Sequence, residues 1–324
     1  MKRILLIGAG NLGKRHLQSL KSSKFDLEIM AVEPSAAAAD AAQEAYEATG
    51  RTGGIKRLEF SESTEQLDFR PDVAIIATPA TGRLELMASA IELGARLIIL
   101  EKVAFNSVGD IDEATALVKA SGAKVWVNCP RRLNPLYQEL KSYFAGTKIA
   151  KLEVIGANYG LACNFVHFVD LFAYLIGERN YEISLTGIDT VEQSKRNSYV
   201  EFGGIISGAF SSGVPFSLTC SRDDSGISVK VRIVTDDGNV VINEVGGDLS
   251  YLDYAGEVTK QQPYSQPYQS QLTGPLVDEL LSSGGCGLTD FYESMALHLP
   301  FISAAYELYA AEFGSNPRET VPIT

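Results

Sequence analysis

The feature that most constrains the fold of this chain is a glycine-rich turn between an apolar run and a helical pattern. The turn reads Gly-Ala-Gly-Asn-Leu-Gly, follows residues 3–7 and opens the pattern at 12–21. In such a turn the first glycine permits a sharp bend, the second lets a pyrophosphate approach the backbone, and the third lets the helix pack closely on the strand. Unpaired N–H groups at the positive end of the helix then bind phosphate. The motif therefore predicts a dinucleotide site formed by Gly8, Gly10, Asn11, Leu12 and Gly13.

An acidic residue follows at the distance that a dinucleotide site requires. Glu33 ends the second apolar run, about 20 residues beyond Gly13, where a carboxylate accepts hydrogen bonds from the hydroxyls of the adenosine ribose. A carboxylate there repels the 2′-phosphate of NADP, so the sequence favours NAD. Ser35 and the nearby Arg15 leave some tolerance for NADP.

Residues 3–126 alternate short apolar runs with helical periodicity, which is the pattern of βαβ units. This pattern predicts an α/β fold that begins with a Rossmann domain, residues 1–126, in which helices cover a doubly wound parallel sheet. Its predicted strands are 3–7, 27–32, 73–77, 96–100 and 124–127. Its predicted helices are 12–21, 36–48, 83–93 and 108–121.

After residue 127 the pattern changes. Residues 195–258 are rich in Val, Ile, Phe, Thr and Gly, which predicts antiparallel strands, and the segments 211–213 and 236–238 supply residues that hairpin turns tolerate. Two closing helices are expected at about 266–282 and 288–313, with 261–271 as a loop. We expect residues 127–324 to form a substrate-binding and oligomerisation α+β domain with a large, mainly antiparallel open sheet. A second copy of the same sheet would bury its other face, so a homodimer or homotetramer is expected.

Composition and charge exclude several classes of protein. The 324 residues exceed the size at which one hydrophobic core usually stops growing, and 45% hydrophobic with 21% charged residues is ordinary globular composition. A net charge of -12 repels nucleic acid and anionic lipid, and no apolar stretch approaches the roughly 20 residues that span a bilayer. The four cysteines lack paired spacing, so no metal site is predicted, and a reducing cytoplasm is the expected location.

Two further segments, A-T-P at 77–79 and E-K at 101–102, follow predicted strands, where open α/β sheets bind ligands. With the glycine motif and a later helix that bears a histidine, they make the whole chain resemble the glucose-fructose oxidoreductase, inositol dehydrogenase and MocA (Gfo/Idh/MocA) family. The resemblance implies a nicotinamide-dependent oxidoreductase that acts on a sugar, a cyclitol or a nucleotide sugar. It also implies a sheet domain that forms dimers or tetramers. The predicted cofactor residues thereby come to include Thr78, Pro79, Glu101 and Lys102.

Lys102 is the first catalytic residue that the resemblance implies. In the family the lysine of an E-K-P segment reaches between nicotinamide and substrate, where an ammonium stabilises the oxygen that changes oxidation state. This chain has Val103 in place of the proline, which leaves the backbone turn after Lys102 open, and Arg83 stands about where a histidine often follows A-T-P. The pair Arg15-His16 is expected to support the cofactor loop.

His167 is the second implied catalytic residue. Cys163, His167 and Asp170 fall at i, i+4 and i+7 and share one face of a predicted apolar helix. The family usually has Asp-x-x-x-His-x-x-Asp here, with the first Asp and the His engaged in substrate binding or proton transfer, whereas this chain has Cys163. Imidazole is the natural acid or base near neutral pH, so His167 is predicted to carry proton transfer. Asp170 either orients His167 or satisfies backbone groups.

The remaining predicted substrate contacts lie around that helix and after the last Rossmann strand. Cys163 and Asn164 are predicted to line the pocket, with Asn164 alternatively an N-cap. Arg131 and Arg132 correspond to a family stretch that reaches the substrate cleft, where a guanidinium grips a carboxylate, a phosphate or a hydroxyl pair unless it forms an interdomain ion pair. Tyr159 offers a stacking surface for a sugar ring.

Functions of different classes remain open at this point. The leading hypothesis is hydride transfer between a sugar carbon and nicotinamide, and the spelling of the helix from Cys163 to Asp170 resembles a branch of surface-sugar biosynthesis. The alternative is a catalytically quiet sensor or assembly protein that binds a dinucleotide or a sugar, motivated by Cys163 in place of the family Asp. A third hypothesis is redox chemistry coupled to elimination or epimerisation with tightly held NAD.

Overall fold

The computed structural model describes residues 1–50, 54–65, 67–194, 198–223 and 226–323. Contacts divide the chain into two compact units. The first unit comprises Met1–Phe105, Asp110–Pro130 and Pro267–Tyr292, and the second unit comprises Asn106–Gly109, Arg131–Gln266 and Glu293–Thr324. The sequence predicts a single boundary after residue 126, whereas the contact division is discontinuous, because a late segment packs within the first unit.

The strands alternate with helices in the first part of the chain and follow one another later. In chain order the strands are β1 (Lys2–Ile7), β2 (Leu27–Val32), β3 (Ile55–Ser61), β4 (Val73–Ile76), β5 (Leu97–Leu100), β6 (Lys124–Val127), β7 (Ile149–Ala157), β8 (Tyr181–Gln193), β9 (Val200–Phe210), β10 (Pro215–Ser221), β11 (Lys230–Thr235), β12 (Gly238–Asn243), β13 (Asp248–Leu252), β14 (Val258–Pro263) and β15 (Thr289–Asp290). The helices are α1 (Gly13–Leu20), α2 (Ala36–Ala48), α3 (Arg83–Glu92), α4 (Val108–Ser121), α5 (Pro135–Tyr143), α6 (Leu161–Ile176), α7 (Gln269–Ser283) and α8 (Phe291–Phe313).

A seven-stranded sheet of order β15-β6-β5-β4-β1-β2-β3 forms the centre of the first unit. Its strands pair in parallel except for β15, which runs antiparallel to β6. Helices on both faces of a parallel sheet bury its strands completely, which explains why β4 is a continuous apolar run with every residue buried. The strand order reverses between β1 and β4, and ligands of such sheets bind at this reversal. The predicted Rossmann fold is confirmed.

Helix α7 returns to the first unit and packs on α1. A side chain at Gly274 would place Cβ 2.2 Å from Ser22 Oγ, so glycine is required for this close approach. The N–H of Gly274 donates to Ser19 Oγ at 2.9 Å, and Ser23 Oγ donates to Asp278 Oδ1. These contacts join residues more than 250 positions apart, which local sequence patterns do not reveal.

An eight-stranded sheet of order β14-β13-β12-β11-β7-β10-β9-β8 forms the second unit. All its pairings are antiparallel except that of β10 with β7. Alternate residues of β12 are buried, as expected for a sheet with one face on a core. Helix α6 is apolar and mostly buried, and it lies against β7, β9 and β10. The predicted large, mainly antiparallel sheet is confirmed.

The structure corrects several predicted details. Strand β3 was not predicted, since its Lys, Arg and Glu residues at the sheet edge interrupt the apolar run. The loop prediction for 261–271 is wrong at both ends, because β14 continues to Pro263 and α7 begins at Gln269. Lys195, where the predicted antiparallel segment begins, lies outside the described residues. Both predicted hairpin turns connect antiparallel strands, with Gly213 and Gly238 at φ +87° and +136°.

Among the described residues, no helix combines the length and apolar character needed to cross a bilayer.

Candidate functional site

The glycine turn of the first unit has a geometry that only glycine permits at two positions. Gly8 adopts φ +88°, and a Cβ there would stand 2.9 Å from Thr78 Cγ2. A Cβ on Gly13 would lie 1.8 Å from the carbonyl oxygen of Gly8, so any larger residue would push α1 away from β1. A Cβ on Gly10 would meet no atom within 4 Å. The backbone at Gly10 is therefore open to a group that approaches from outside.

Glu33 is tied to this turn by two hydrogen bonds from the backbone. Its Oε2 accepts from the N–H of Ala9 at 2.8 Å, and its Oε1 accepts from the N–H of Ser35 at 3.1 Å. The side chain is half-buried at the end of β2. Its carboxylate is thus held beside the glycine turn, which is the place that the sequence predicts for a ribose-binding acid.

A cavity of about 540 Å³ lies beside the turn, within the first unit. Five predicted cofactor residues contribute to its lining, namely Gly8, Gly10, Glu33, Thr78 and Pro79. Asn11 and Leu12 are exposed at the amino end of α1. The hydroxyl oxygen of Thr78 is buried with no hydrogen-bond partner among the described residues. A dinucleotide fits this set of residues, because an unpaired hydroxyl, an open glycine backbone and a fixed carboxylate border one cavity.

Three acidic residues of the cavity lining, Glu62, Glu65 and Glu85, were not predicted from the sequence. Glu62 and Glu65 follow β3, line the cavity with Glu33 and are exposed. The signal that would have found Glu62 and Glu65 is the edge strand β3 itself, since the loop after each parallel strand lies at the ligand-binding edge of the sheet.

Glu101 belongs to a buried polar network in the first unit. Its residue exposure is 3%, and its Oε1 lies 2.9 Å from His16 Nε2 and accepts from Asn128 Nδ2. The other ring nitrogen of His16 lies 2.9 Å from Thr273 Oγ1 on α7. Burial alone would raise the pKa of Glu101, but the hydrogen bonds from His16 and Asn128 and the charge of Lys102 lower it below its ordinary value. His16 therefore joins α1 and α7 to the end of β5, next to Lys102.

Arg83 ties together the two loops that follow β4 and β5. Its guanidinium donates to the carbonyl oxygens of Thr78, Glu101, Val103 and Ala104, and the residue is 1% exposed. The bond between Lys102 and Val103 is a cis peptide, and Val103 is fully buried. Lys102 itself is half-buried and stands in the loop that Arg83 anchors. A planar guanidinium suits this task, because it presents several N–H donors in one plane.

His167 belongs to the second unit, whereas Lys102 belongs to the first. It lies on α6, half-buried, one turn after Cys163. Cys163 is also half-buried, and its thiol donates to the carbonyl oxygen of Gly160. Asn164 is not an N-cap: α6 begins at Leu161, so Asn164 lies inside the helix, where its amide donates to the carbonyl of Tyr159. The N-cap alternative is therefore wrong.

Arg131 forms a bidentate ion pair within the second unit. Its Nε and Nη2 donate to Glu244 Oε1 and Oε2 at 2.8 and 2.7 Å, and its guanidinium stacks 4.3 Å from the ring centre of Phe168. Tyr137 donates a further hydrogen bond to Glu244 at 2.8 Å. Burial opposes both charges, but each partner's charge outweighs it, so the pKa of Glu244 is lowered and that of Arg131 is raised.

Arg132 and Asp170 pair with one another. Arg132 Nε donates to Asp170 Oδ2 at 2.8 Å, and Arg132 Nη2 donates to Glu293 Oε1 at 2.7 Å. The sequence predicts that Arg132 lies in the substrate cleft or in an interdomain ion pair, and that Asp170 orients His167 or satisfies backbone groups. The structure instead brings Arg132 and Asp170 together inside one unit, a pairing across 38 positions that local sequence patterns do not reveal.

Tyr159 stands just before α6. Its ring packs edge-on against Phe168 with the ring centres 5.9 Å apart. Its hydroxyl is buried and has no hydrogen-bond partner among the described residues. Burial, together with Cys220 and Glu201, raises the pKa of Tyr159, so the phenol stays protonated and remains a donor.

Among the residues that the structure describes, no group of three or more His, Cys, Asp or Glu side chains is placed to hold a metal ion.

Comparisons with solved structures show that the fold is shared along nearly the whole chain. UDP-N-acetylglucosamine 3-dehydrogenase GnnA from Acidithiobacillus ferrooxidans is 14% identical with a TM-score of 0.69, covering 94% of this chain and 96% of that one. Biliverdin reductase from Synechocystis, in complex with biliverdin and NADP+, is 12% identical with a TM-score of 0.72, covering 94% and 98%. Scyllo-inositol dehydrogenase from Lactobacillus casei, with bound NAD(H) and scyllo-inositol, is 16% identical with a TM-score of 0.66, covering 94% and 96%. At these identities the likeness shows the fold alone.

Part of the chain also matches a family model by sequence. No curated protein sequence matches the chain. The family model GFO_IDH_MocA, described as an oxidoreductase family with an NAD-binding Rossmann fold, matches residues 2–129. This range contains the glycine turn and the segments with Thr78 and Lys102, which carried part of the resemblance, whereas the helix that bears His167 lies outside it. Residues 2–129 are therefore similar to the NAD-binding Rossmann domain of the Gfo/Idh/MocA family of oxidoreductases.

Proposed function

We propose that the protein is an NAD-dependent dehydrogenase or reductase that transfers a hydride between nicotinamide and a carbon of a sugar, a cyclitol or a nucleotide sugar. The observation that carries the proposal is the Glu33 carboxylate, which is hydrogen-bonded to the N–H of Ala9 beside the open backbone of Gly10. Sugar-like substrates are supported by two proteins with this fold, a UDP-N-acetylglucosamine 3-dehydrogenase and a scyllo-inositol dehydrogenase. None of the four cysteines forms a disulfide with another described residue, which supports a cytoplasmic location.

NAD rather than NADP is favoured by charge. Glu33, Glu62 and Glu65 line the same cavity, and together they disfavour a 2′-phosphate at the ribose. Calorimetric titration with each dinucleotide tests this choice. We expect NAD to bind at least about tenfold more tightly than NADP, a difference of about 1.4 kcal/mol. Equal affinities, or tighter binding of NADP, would contradict the assignment.

In the proposed reaction the nicotinamide supplies the hydride acceptor or donor, and the chain supplies binding, orientation and proton transfer. The N–H groups of the glycine turn bind the pyrophosphate, and Thr78 donates a hydrogen bond from its buried hydroxyl. Arg83 fixes the loop that carries Lys102, whose ammonium stabilises the oxygen of the reacting carbon. His167 exchanges the proton of that oxygen.

The test is turnover of purified protein with a panel of sugars, cyclitols and nucleotide sugars, followed by the absorbance of reduced nicotinamide. We expect Lys102→Ala to lower kcat/KM by about 100-fold or more while leaving the Kd for NAD within about twofold, because one stabilising donor is lost from the transition state. Lys119→Ala, which changes an exposed lysine of α4, is the matched control. Normal turnover by Lys102→Ala would refute the role of this lysine.

The catalytically quiet alternative is favoured by one observation. No carboxylate stands at position 163, and the carboxylate of Asp170 is paired with Arg132, so the face of α6 around His167 lacks the acid that the family usually has there. Dinucleotide binding without turnover of any substrate in the panel supports this alternative. Turnover by the unmodified protein eliminates it.

We also propose that the protein is a homodimer or homotetramer joined through the open face of the second sheet. Ile155 and Ile205 are 41% and 43% exposed, and both are register partners of Thr219 on the strand between them. Residues opposite one another in a sheet share a face, so these side chains form a continuous exposed strip. Sedimentation is expected to show an oligomer that Ile205→Glu dissociates. A monomeric parent protein would refute the proposal.

A further inference from the structure

A buried carboxylate stands at the amino end of α6, contributed by a different element of the second unit. Glu201 lies on β9 and is 8% exposed. Its Oε2 accepts a hydrogen bond from the N–H of Ala162 at 2.9 Å, and its Oε1 accepts from the N–H of Cys163 at 3.3 Å. These are the second and third residues of a 16-residue helix. Glu201 thus satisfies two of the N–H groups that an α-helix leaves unpaired at its start.

The helix has no cap of its own that does this. Gly160 is the N-cap residue, adopts φ +75° and has no side chain to accept a hydrogen bond. The first turn contains no acidic residue. A carboxylate at this end also interacts favourably with the helix dipole, which adds to the two hydrogen bonds. The start of α6 therefore depends on a side chain 38 and 39 positions away in the chain.

We propose that Glu201 is a positioning residue for the face of α6 that bears Cys163, Asn164 and His167. Its carboxylate fixes the first turn, and because side chains four apart lie over one another on a helix, the direction of that turn sets where His167 stands. The inference rests on the proposed function only for the role of His167; the anchoring of α6 is independent of it.

Position 163 lies directly beside this carboxylate. A Cβ built on Gly160 would lie 2.7 Å from Cys163 Sγ and 3.2 Å from Glu201 Oε1, so both atoms border the same small space. An aspartate at 163 would bring a second negative charge to that space. In the intact protein the two carboxylates would repel one another, whereas in a protein that lacks Glu201 the new carboxylate would take over the interaction with the helix start.

The test uses amide hydrogen exchange of the full-length protein, which needs no substrate. We expect Glu201→Ala to speed exchange of the Ala162 and Cys163 amides by about tenfold and Glu201→Gln by about threefold, since the amide oxygen keeps part of the hydrogen bonding but not the charge. Glu182→Gln, which removes an exposed carboxylate from the neighbouring strand β8, is the matched control and is expected to leave both amides unchanged.

A reciprocal substitution makes the test specific. Cys163→Asp is expected to lower the thermal midpoint of the parent protein but to raise that of Glu201→Ala and restore protection of the Ala162 amide. A change of the same sign and size in both backgrounds would overturn the proposal, and so would exchange within about twofold of the parent in both Glu201 variants. If Glu201→Ala or Cys163→Asp does not fold, Glu201→Gln still yields the exchange measurement.

Turnover separates this inference from the proposed function. With an active parent, Glu201→Gln is expected to lower kcat by about tenfold with the Kd for NAD unchanged, because the dinucleotide residues belong to the first unit. An unchanged kcat would refute the positioning of His167 even if the exchange results hold. An inactive parent with the expected exchange results would refute the proposed function and leave the anchoring of α6 established.

Discussion

Breaking the ion pair between Arg131 and Glu244 should destabilise the second unit by an amount that its burial determines. Glu244→Gln keeps the size of the side chain but removes the charge that faces Arg131. The two side chains are 14% and 12% exposed and share two hydrogen bonds of 2.8 and 2.7 Å. Loss of one member of a buried pair costs about 3–5 kcal/mol, and the residual exposure places this pair at the low end, about 3 kcal/mol. We expect Arg131→Met to cost a similar amount.

Urea unfolding followed by fluorescence measures these costs. With a slope of about 2–3 kcal/mol per molar urea, a loss of about 3 kcal/mol lowers the midpoint of the second unit's transition by about 1–1.5 M. The double variant should cost at least about 2 kcal/mol less than the sum of the single variants, since removing both charges leaves neither one buried alone. Arg232→Met is the control, because Arg232 is 43% exposed in its pair with Glu153 and such pairs contribute at most about 1 kcal/mol.

The pair also predicts the sign of a pH dependence. The folded pKa of Glu244 lies below its ordinary value, so the stability that the pair provides is present above the unfolded pKa and is lost as the pH falls through the folded pKa. Glu244→Gln should therefore lose less stability than the parent protein on acidification below about pH 4. Single costs under about 1 kcal/mol that add in the double variant would refute this reasoning.

Three further predictions follow from the geometry. Gly13→Ala places a Cβ 1.8 Å from the carbonyl oxygen of Gly8, so it should abolish calorimetric binding of NAD, and a Kd within threefold of the parent would contradict the close packing. Glu101→Gln should make the free energy of unfolding of the first unit fall less steeply on acidification than in the parent, because the pKa of Glu101 is lowered in the folded state and the stability it provides is lost as the pH falls. The same acid unfolding curve in the variant and the parent would contradict this. Phe165→Ala should cost about 3–5 kcal/mol in denaturant unfolding, since Phe165 is fully buried and stacks on Phe301 with ring centres 4.3 Å apart, and a cost below 1 kcal/mol would rule out that packing role.

The first unit shows how far local sequence patterns reach. Strand β1, the glycine turn and α1 were predictable because the turn from β1 into α1 needs glycine at positions 8 and 13, and these positions are close together in the sequence. The placement of Glu33 was predictable for the same reason, since the second strand of a βαβ unit lies beside the first. The edge strand β3 was not predictable from apolar runs, and the acids Glu62 and Glu65 were missed with it.

The second unit shows what the sequence left open. An amphipathic or apolar period identifies a helix such as α6, but it does not identify the side chain that caps the helix. Glu201 reaches the N–H groups of Ala162 and Cys163 only because the fold places β9 there. Arg131 and Arg132 read equally well as ligand-binding residues or as members of ion pairs. Their partners Glu244 and Asp170 lie 113 and 38 positions away.

The sequence by itself determined the fold class, the cofactor turn and the likeness of residues 2–129 to an oxidoreductase family, because glycine conformation, strand and helix periodicity and the spacing of Glu33 are all local properties of the chain. The tertiary structure alone decided the return of Pro267–Tyr292 to the first unit and the pairing of each buried charge. The physical reason is that a buried charge must meet an opposite charge or a hydrogen-bonding group wherever the fold supplies one, and sequence distance places no limit on where that partner comes from.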